Sequence, residues 1–467
     1  MGRYIAVDLG ATSGRVALVD TNSGTFDINV VHRFPHEVIT NEDGAMRWDW
    51  EFILKESLVG IEKAAALGPV TSLAIDSWAV DYGFLDSSGK ELLPIRSYRD
   101  PRNQVAFEAT LAKYGKERIY QTTGIQFLSL NSIYQLMAAK EDPNYVGAAQ
   151  FLLVPDFMNH ALTGVASTEI TNASTTQLLD TKSRTWDYEL IELLGLRASL
   201  FPALHEPGSD LGVIRGHGPL DGIKVVATGS HDTASAVAGA PIENAEIEAY
   251  LSSGTWSLLG IESSVPFRGS DAFGINLTNE LGVENTVRVL KNITGLWIFE
   301  ECRRAWREEG FTPELTELIS LAENSTFKSV IDPNNLLFAT PGDMPHKVAR
   351  FCRESNQPEP QTHGDYIRCI FISLALAYKK TLEEIEAVTG KKIGKIHILG
   401  GGSQIHLLNQ MAADATGCVI SAGPTESTLI GNVAMQAIAS GEFSNLSEAR
   451  NAIRKSLAPK LFTPQKH

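Results

Sequence analysis

The sequence predicts an α/β protein of two similar domains, and three observations lead to this prediction. The chain has 467 residues, which is too long for one ordinary hydrophobic core. Segments with helical spacing alternate with segments typical of strands. For example, Leu54, Leu58 and Ile61 recur at helical spacing, and the buried-strand pattern of residues 70–75 follows them. A short glycine turn near the start of the chain has a counterpart in the second half, which suggests a repeated unit.

The first of these turns lies within residues 5–19. Apolar residues on either side of Gly10 and Gly14 predict two strands with a tight connection, a β-hairpin. The backbone N–H groups of the turn, its hydroxyls and the Arg15 cation suit a phosphate group. Asp8 stands at the end of the first strand, where it is placed to face a phosphate-bound Mg²⁺ through water. An ordinary glycine hairpin with a solvated arginine explains the same stretch about as well.

The second turn lies within residues 249–261, where an apolar run again leads into a Ser-Gly-Thr turn and another apolar run leaves it. One such hairpin near the start of each half suggests two domains that clamp one nucleotide. The polar, acidic segment 240–248 separates the halves. We therefore expect an N-terminal domain over 1–243 and a C-terminal domain over 244–467.

Composition excludes several classes of partner. The formal net charge of −15 argues against a nucleic acid and against an anionic membrane surface, and no apolar run approaches the length of a membrane span. Asp8 interrupts the apolar start of the chain, which is unlike a signal peptide. The four cysteines form no CxxC pair, so we expect reduced, packed thiols and a cytoplasmic protein. We expect a monomer or a small homo-oligomer.

The sharpest catalytic candidate lies between a predicted strand and a predicted helix. The strand ends at Gly229, Ser230 is placed to cap the helix, and Asp232 falls in the first helical turn. The local N–H groups and the helix dipole favour an ionised carboxylate, which could act as the base for an alcohol O–H. A plain capping aspartate is the alternative, and it explains the position about equally well.

Three further stretches resemble ligand contacts, each with a structural alternative. Residues 75–82 carry two acids and a tryptophan past the end of a buried strand, where open α/β sheets bind ligands. The alternative is a strand-end turn with a packed tryptophan. The strand at 396–399 runs into three glycines, which could lie flat against an adenine base or form an ordinary turn. The hydroxyl-rich segment 168–177 suits a polar surface near a ligand, or a turn region.

Several common motifs are absent from the sequence. There is no GxxxxGK[ST], no GxGxxG after a strand and no HExxH, which disfavours P-loop nucleotidases, Rossmann dinucleotide sites and zinc proteases. Two phosphate hairpins, a glycine turn for a base and an acid at a helix start instead fit phosphoryl transfer from ATP. In that arrangement Asp232 would take the proton of an acceptor hydroxyl, and Asp8 would hold Mg²⁺ through water.

These stretches and a few others carry a family resemblance. The chain is similar to the FGGY family of carbohydrate kinases over nearly its whole length in the motifs AVDLGATSGR, AIDSWAVDY, YRDPR, TGIQFLSLNSIYQL, TNASTTQL, SHDTASAV, YLSSGTWSLLG, VLKNITGLW and ILGGGSQ. The resemblance implies two ribonuclease-H-like domains of the actin-like ATPase fold around a central cleft. It also implies the ATP- and Mg²⁺-dependent phosphorylation of a small ketose, L-rhamnulose at its 1-hydroxyl.

The resemblance implies roles for single residues as well, with Asp232 at the position of the catalytic base. The positions that match sugar contacts are Ala79, His231, Asp232, Thr233 and Asn292. The positions that match ATP contacts are Ala11, Thr12, Ser13, Gly14, Arg15, Thr255, Glu300 and Gly401. Three residues depart from the family pattern: Ala79 in place of Gly, Glu300 in place of Gln, and Ile405 in place of Asn.

Two alternatives stay open at this point. A non-kinase ATPase related to actin or Hsp70 could use the same fold, but the Ser-His-Asp-Thr junction favours the kinase. Among kinases, L-fuculose, ribulose or xylulose could replace L-rhamnulose as the acceptor, because such pockets differ by a few contacts.

Overall fold

The computed structural model describes residues 2–21 and 24–465, and residue contacts divide the chain into two compact units. The first unit comprises Met1–Pro241, Glu262–Val289 and Ser427–Ser456. The second unit comprises Ile242–Ile261, Leu290–Glu426 and Leu457–His467. Each unit is therefore built from separate segments of the chain.

The strands are numbered in chain order. Up to residue 241 they are β1 (Arg3–Leu9), β2 (Ser13–Asp20), β3 (Asp27–Pro35), β4 (Val38–Thr40), β5 (Met46–Trp48), β6 (Ser72–Ser77), β7 (Tyr82–Leu85), β8 (Glu91–Leu92), β9 (Gln150–Leu153), β10 (Thr168–Glu169), β11 (Leu179–Asp180), β12 (Thr185–Trp186), β13 (Leu204–His205), β14 (Asp210–Val213) and β15 (Lys224–Val226). The later strands are β16 (Glu248–Ser253), β17 (Trp256–Ser263), β18 (Thr278–Leu281), β19 (Val287–Thr294), β20 (Lys395–Leu399), β21 (Val419–Ala422) and β22 (Lys460–Phe462).

The helices are numbered in the same way. Up to residue 241 they are α1 (Trp50–Ala65), α2 (Arg102–Tyr114), α3 (Lys116–Thr123), α4 (Ser132–Ala139), α5 (Pro143–Gly147), α6 (Val154–Thr163), α7 (Ile170–Ala173), α8 (Tyr188–Leu193) and α9 (Asp232–Ala238). The later helices are α10 (Ser270–Gly274), α11 (Trp297–Glu308), α12 (Leu315–Asn324), α13 (Met344–Glu354), α14 (His363–Thr389), α15 (His406–Thr416), α16 (Ser427–Ala439) and α17 (Leu446–Ser456).

A six-stranded sheet forms the middle of the first unit, in the order β14-β15-β6-β1-β2-β3. Strand β1 pairs antiparallel with β2 and parallel with β6, so it has a neighbour on each side. Every residue of β1 after Arg3 is buried, which accounts for the nearly continuous apolar run in the sequence. The hairpin predicted within residues 5–19 is confirmed by this pairing.

The second unit repeats this arrangement of strands. Its strands follow one another in the order β17-β16-β20-β21-β22. Strand β16 pairs antiparallel with β17 and parallel with β20, as β1 pairs with β2 and β6. The second predicted hairpin is therefore confirmed, and the repeat that the sequence suggests is present in the topology of the strands.

Helix α16 packs tightly between α9 and the central strands of the first unit. A Cβ atom at Gly431 would overlap the Ser235 carbonyl oxygen, so the close approach of the two helices requires glycine. On its other side, Gln436 accepts a hydrogen bond from Ser72 Oγ at 2.7 Å and donates one to the Ile5 carbonyl at 3.0 Å. The helix that begins at residue 232 is thereby fixed to β1 and β6.

The cysteines Cys302, Cys352, Cys369 and Cys418 are buried, unbridged thiols of the second unit. The packed thiols predicted from the lack of a CxxC pair are therefore confirmed. None of the helices in the described chain combines the length and the apolar character that crossing a membrane requires.

Candidate active site

Three charged residues are cross-strand neighbours in the sheet of the first unit. In the strand register, Asp8 of β1 is paired with Arg15 of β2 on one side and with Asp76 of β6 on the other. Arg15 approaches Oδ2 of the Asp8 carboxylate with Nη2 at 2.6 Å and with Nε at 2.7 Å. The two charged residues that the sequence places around the first turn therefore form an ion pair, and a second acid stands beside them.

Asp76 is the first of the two acids that the sequence places past the end of a strand in residues 75–82, but it lies inside β6. Its side chain is fully buried; Oδ2 accepts from Asn432 Nδ2 at 2.6 Å, whereas Oδ1 has no hydrogen-bond partner among the described residues. Burial raises the pKa of Asp76 well above its ordinary value, and the carboxylates of Asp8 and Asp232 raise it further. The sequence signal for its burial is an acid within the apolar pattern of a strand.

The turn of the first hairpin is exposed at its tip and fixed from behind. The side chains of Thr12 and Ser13 are exposed, and the Gly10 N–H donates to the Ser13 carbonyl at 2.9 Å. The His36 ring nitrogen Nε2 lies 2.8 Å from the Gly10 carbonyl, and the His36 backbone N–H donates to the Thr12 carbonyl at 3.1 Å. A carbonyl only accepts, so this ring nitrogen carries a proton. The turn is therefore held in one conformation with its hydroxyl-bearing residues outward.

The junction before α9, residues 230 and 231, is paired with the last residue of β6. The Ser77 N–H donates to the Ser230 carbonyl at 2.9 Å, and Ser77 and His231 form an isolated parallel bridge. Helix α9 begins at Asp232, and its N-cap residue is His231, which makes no side-chain cap bond. The prediction that Ser230 caps this helix is wrong, because the Ser230 hydroxyl donates to Glu169 Oε2 at 2.7 Å instead.

The Asp232 carboxylate combines partial burial with access to solvent, because its side chain is 31% exposed. Burial raises its pKa, the contact with His231 lowers it, and the Asp8 charge raises it again. The sequence predicted that the helix start would favour the charged form. The N–H of Thr233 does act in that direction, but burial outweighs it. The result is a carboxylate that is a stronger base than a free aspartate.

A buried charge network surrounds His231, and the sequence reasoning missed its other two members. Arg288 Nη2 lies 3.0 Å from His231 Nδ1 and 3.0 Å from Glu280 Oε2. His231 Nδ1 also lies 3.3 Å from Glu280 Oε2, so the guanidinium and the carboxylate approach the ring at the same nitrogen. His231 Nε2 lies 3.4 Å from Asp232 Oδ1. Burial opposes ionisation of Glu280, but Arg288 and His231 hold its pKa below the usual range.

Ala79 lies partly exposed in the loop after β6. The next residue, Val80, has φ = 67°, a left-handed conformation that strains a β-branched residue. Its carbonyl accepts from Ser132 Oγ at 2.6 Å. Asp81 is buried, accepts from Trp78 Nε1 at 3.0 Å, and has its pKa raised by burial to about 6. Trp78 is packed, as expected for the alternative of a strand-end turn. The strained backbone beside Ala79 is typical of a loop that is held in place for function.

In the second unit, Thr255 is held by the chain segment that follows β19. Its carbonyl accepts from the Gly295 N–H at 3.1 Å and from the Trp297 N–H at 3.2 Å. A Cβ atom at Gly295 would lie only 2.6 Å from the carbonyl carbon of Trp256, so this close approach requires glycine. The hydroxyl-bearing turn of the second hairpin is therefore fixed by backbone contacts.

The remaining predicted positions of the second unit differ in their surroundings. Gly401 begins a short 3-10 helix after β20, and a Cβ atom there would meet nothing within 4 Å, so its surface is open. Glu300 lies on α11 with its side chain 48% exposed, and its carboxylate pairs with Arg303 at 2.8 Å. Asn292 lies partly exposed on β19.

Family models match most of the chain. The N-terminal domain model of the FGGY family of carbohydrate kinases matches residues 3–239, and the C-terminal domain model of the same family matches residues 249–440.

Among curated proteins, the rhamnulokinase of Enterococcus faecalis is 40% identical over 468 residues, covering 98% of this chain and 94% of that protein. The rhamnulokinase of Bacillus subtilis is also 40% identical, covering 99% of this chain and 95% of that protein.

Solved structures share the fold at low sequence identity. A ligand-bound xylulose kinase from Lactobacillus acidophilus superposes with a TM-score of 0.81 at 17% identity, covering 100% of this chain and 94% of that one. Plasmodium falciparum glycerol kinase with ADP superposes with a TM-score of 0.79 at 17% identity, with the same coverage. The actin-like ATPase fold expected from the sequence is therefore confirmed.

Proposed function

Since the chain belongs to the FGGY family of carbohydrate kinases, we propose that it transfers the γ-phosphoryl group of ATP to the 1-hydroxyl of L-rhamnulose. Relatives named rhamnulokinase, 40% identical over nearly the full chain, support this choice of sugar. The structural likeness to xylulose and glycerol kinases supports the fold. At 17% identity it does not indicate that this chain shares their substrates.

The observation that carries the proposal is the Asp232 carboxylate at the start of α9. It is partly exposed, its pKa is raised by burial, and His231 Nε2 faces one of its oxygens at 3.4 Å. We assign it the role of general base that accepts the proton of the sugar hydroxyl as the phosphoryl group arrives. His231, Thr233, Ala79 and Asn292 are the proposed sugar contacts.

The proposed phosphate contacts are groups that donate hydrogen bonds or carry positive charge. The first hairpin offers the turn of residues 11–14 and Arg15, whose guanidinium is already ordered by Asp8. In the second unit, the turn at Thr255 and the open surface at Gly401 are the proposed nucleotide contacts. Glu300 stays a proposed contact at the nucleotide edge.

The donor set around Asp8 fits a hydrated Mg²⁺. A carboxylate is the oxygen ligand that Mg²⁺ favours, and both Arg15 contacts given above go to one oxygen of Asp8. Among the described residues, no group of three or more His, Cys, Asp or Glu side chains is arranged to hold a metal ion. We therefore propose that Asp8 holds Mg²⁺ through water and that the nucleotide phosphates supply most of its ligands.

A coupled assay of ADP release tests the proposed substrate. The purified protein is given ATP, Mg²⁺ and one of L-rhamnulose, L-fuculose, ribulose, xylulose or glycerol, and the product of the fastest reaction is examined by phosphorus–proton NMR coupling. We expect the highest kcat/KM with L-rhamnulose and a phosphate on its first carbon. A higher kcat/KM with another ketose would make that ketose the substrate. ADP release that no sugar accelerates would contradict the proposal that the protein is a sugar kinase.

A further inference from the structure

Glu169 is a buried carboxylate that the proposed mechanism does not use. It lies at the start of the hydroxyl-rich segment 168–177, which the sequence marks as a ligand surface or a turn. We propose that Glu169 is a positioning residue that fixes the junction of Ser230 and His231 and thereby aims the Asp232 carboxylate at the sugar hydroxyl. This inference rests on the proposed role of Asp232 as the base.

The Glu169 carboxylate joins two segments that are distant in the sequence. Its Oε2 accepts from the Ser230 N–H at 3.0 Å and from Ser230 Oγ at 2.7 Å. The same oxygen accepts from Thr171 Oγ1 at 2.6 Å and from the Asn172 N–H at 3.2 Å, while Oε1 accepts from the Thr171 N–H at 2.8 Å. All these partners are donors, so the site is built for a carboxylate.

The segment after Glu169 supports the junction from a second side. Thr171 Oγ1 accepts from the His231 N–H at 3.4 Å. Ser174 Oγ accepts from the Leu281 N–H at 2.8 Å, and the neighbouring Glu280 lies 3.3 Å from His231 Nδ1. The residue before the proposed base is therefore held both through its backbone and through its ring.

This geometry predicts a loss of rate more than a loss of nucleotide binding. A glutamine at position 169 must place its NH2 against a backbone N–H, since Oε1 faces the Thr171 N–H and Oε2 faces the Ser230 N–H. The repulsion would fall either on Ser230 itself or on Thr171, whose Oγ1 accepts from the His231 N–H, so either orientation would displace the junction that carries Asp232. Small displacements of a reacting group can cost about 10²-fold in rate.

The experiment compares Glu169→Gln, Ser230→Ala and Asp187→Ala by steady-state kinetics and thermal unfolding. Ser230→Ala removes one donor to Glu169 while it leaves the bonds to Thr171 and Asn172 intact. Asp187 is the matched control, because it is a buried carboxylate of the same unit that caps α8 through the Leu190 N–H at 2.9 Å. We expect Glu169→Gln to lower kcat by about 10²-fold and Ser230→Ala to lower it less, with the KM for ATP near wild type in both.

We expect Asp187→Ala to lower the melting temperature and leave kcat unchanged. Wild-type kcat in both junction variants would overturn the positioning role, as would an equal loss of kcat in Asp187→Ala. If Glu169→Gln fails to fold, Ser230→Ala decides alone. Asp232→Asn in the same assay separates the two proposals: turnover in that variant refutes the base, whereas an inactive Asp232→Asn with normal junction variants refutes only the positioning role.

Discussion

The two hairpins share one topology but carry different chemistry. In each, the first strand pairs antiparallel with the second and parallel with a later strand. In the first hairpin the register sets Asp8 opposite Arg15, and the two form an ion pair. In the second hairpin it sets Ser253 opposite Ser257, whose hydroxyl lies 2.8 Å from the Tyr378 hydroxyl.

This difference divides the proposed chemistry between the two units. The first hairpin belongs to the unit that also holds Asp76 and Asp232, whose pKa values respond to Asp8. The second hairpin offers neutral hydroxyl and amide groups, which suit binding but do not take up protons near neutral pH. A repeated backbone therefore does not imply a repeated function, and substitutions in the two hairpins should affect different kinetic constants.

The largest effect of the hairpin substitutions is expected for Asp8→Asn. The change removes the charge that orders Arg15 and weakens the proposed water-mediated hold on Mg²⁺, so kcat should fall by about 10–100-fold. Titration of the rate with Mg²⁺ should require a higher concentration for half-saturation, while the KM for the sugar stays near wild type. A wild-type Mg²⁺ titration would contradict the role given to the first hairpin.

Gly295→Ala should have the next largest effect, and it acts on the second hairpin. The new methyl group would press on the backbone of Trp256 and Ser257, so we expect a loss of stability of about 1–3 kcal/mol and a raised KM for ATP. Gly254→Ala, in the turn itself, is the control for stability, because a Cβ atom there would have its nearest neighbour at 4.0 Å. Thermal unfolding of both variants and ATP kinetics of Gly295→Ala check the prediction; equal losses of stability at the two positions would refute it.

The smallest effect is expected for Thr255→Ala. The carbonyl of residue 255 would still accept from Gly295 and Trp297, so the fold of the turn should persist. Loss of one hydroxyl contact is worth about 0.5–1.5 kcal/mol, so the KM for ATP should rise several-fold at an unchanged kcat. Thr255→Ser keeps the hydroxyl and should behave as wild type. A fall in kcat without a change in KM would mean that the second hairpin takes part in chemistry rather than binding.

Local patterns were sufficient to predict the parts of the fold that rest on local interactions. The apolar runs around the two glycine turns predicted both hairpins, because strand burial and turn residues are encoded within a few positions. The Asp232 junction was found for the same reason. The cap assigned to Ser230 was wrong because the partner of its hydroxyl, Glu169, lies 61 residues earlier in the chain.

The groups that support the site could not be found by spacing alone. Glu280 on β18 lies 49 residues beyond His231 in the chain and Arg288 on β19 lies 57 residues beyond it, and nothing local predicts that they meet. Asp76 gave a usable signal, since an ionisable residue inside a buried strand requires an explanation. The domain boundaries at 243 and 244, and the roles of the single site residues, stay predictions.

The most direct test of the account is turnover by Asp232→Asn with ATP, Mg²⁺ and L-rhamnulose at saturating concentrations, with ATP affinity measured on the same sample by calorimetry. The carboxamide keeps the shape of the side chain but cannot accept the proton of the hydroxyl. We predict a wild-type-like affinity for ATP and a kcat reduced by about 10²–10⁴-fold. Near-normal turnover in a folded Asp232→Asn protein would contradict the assignment of the base.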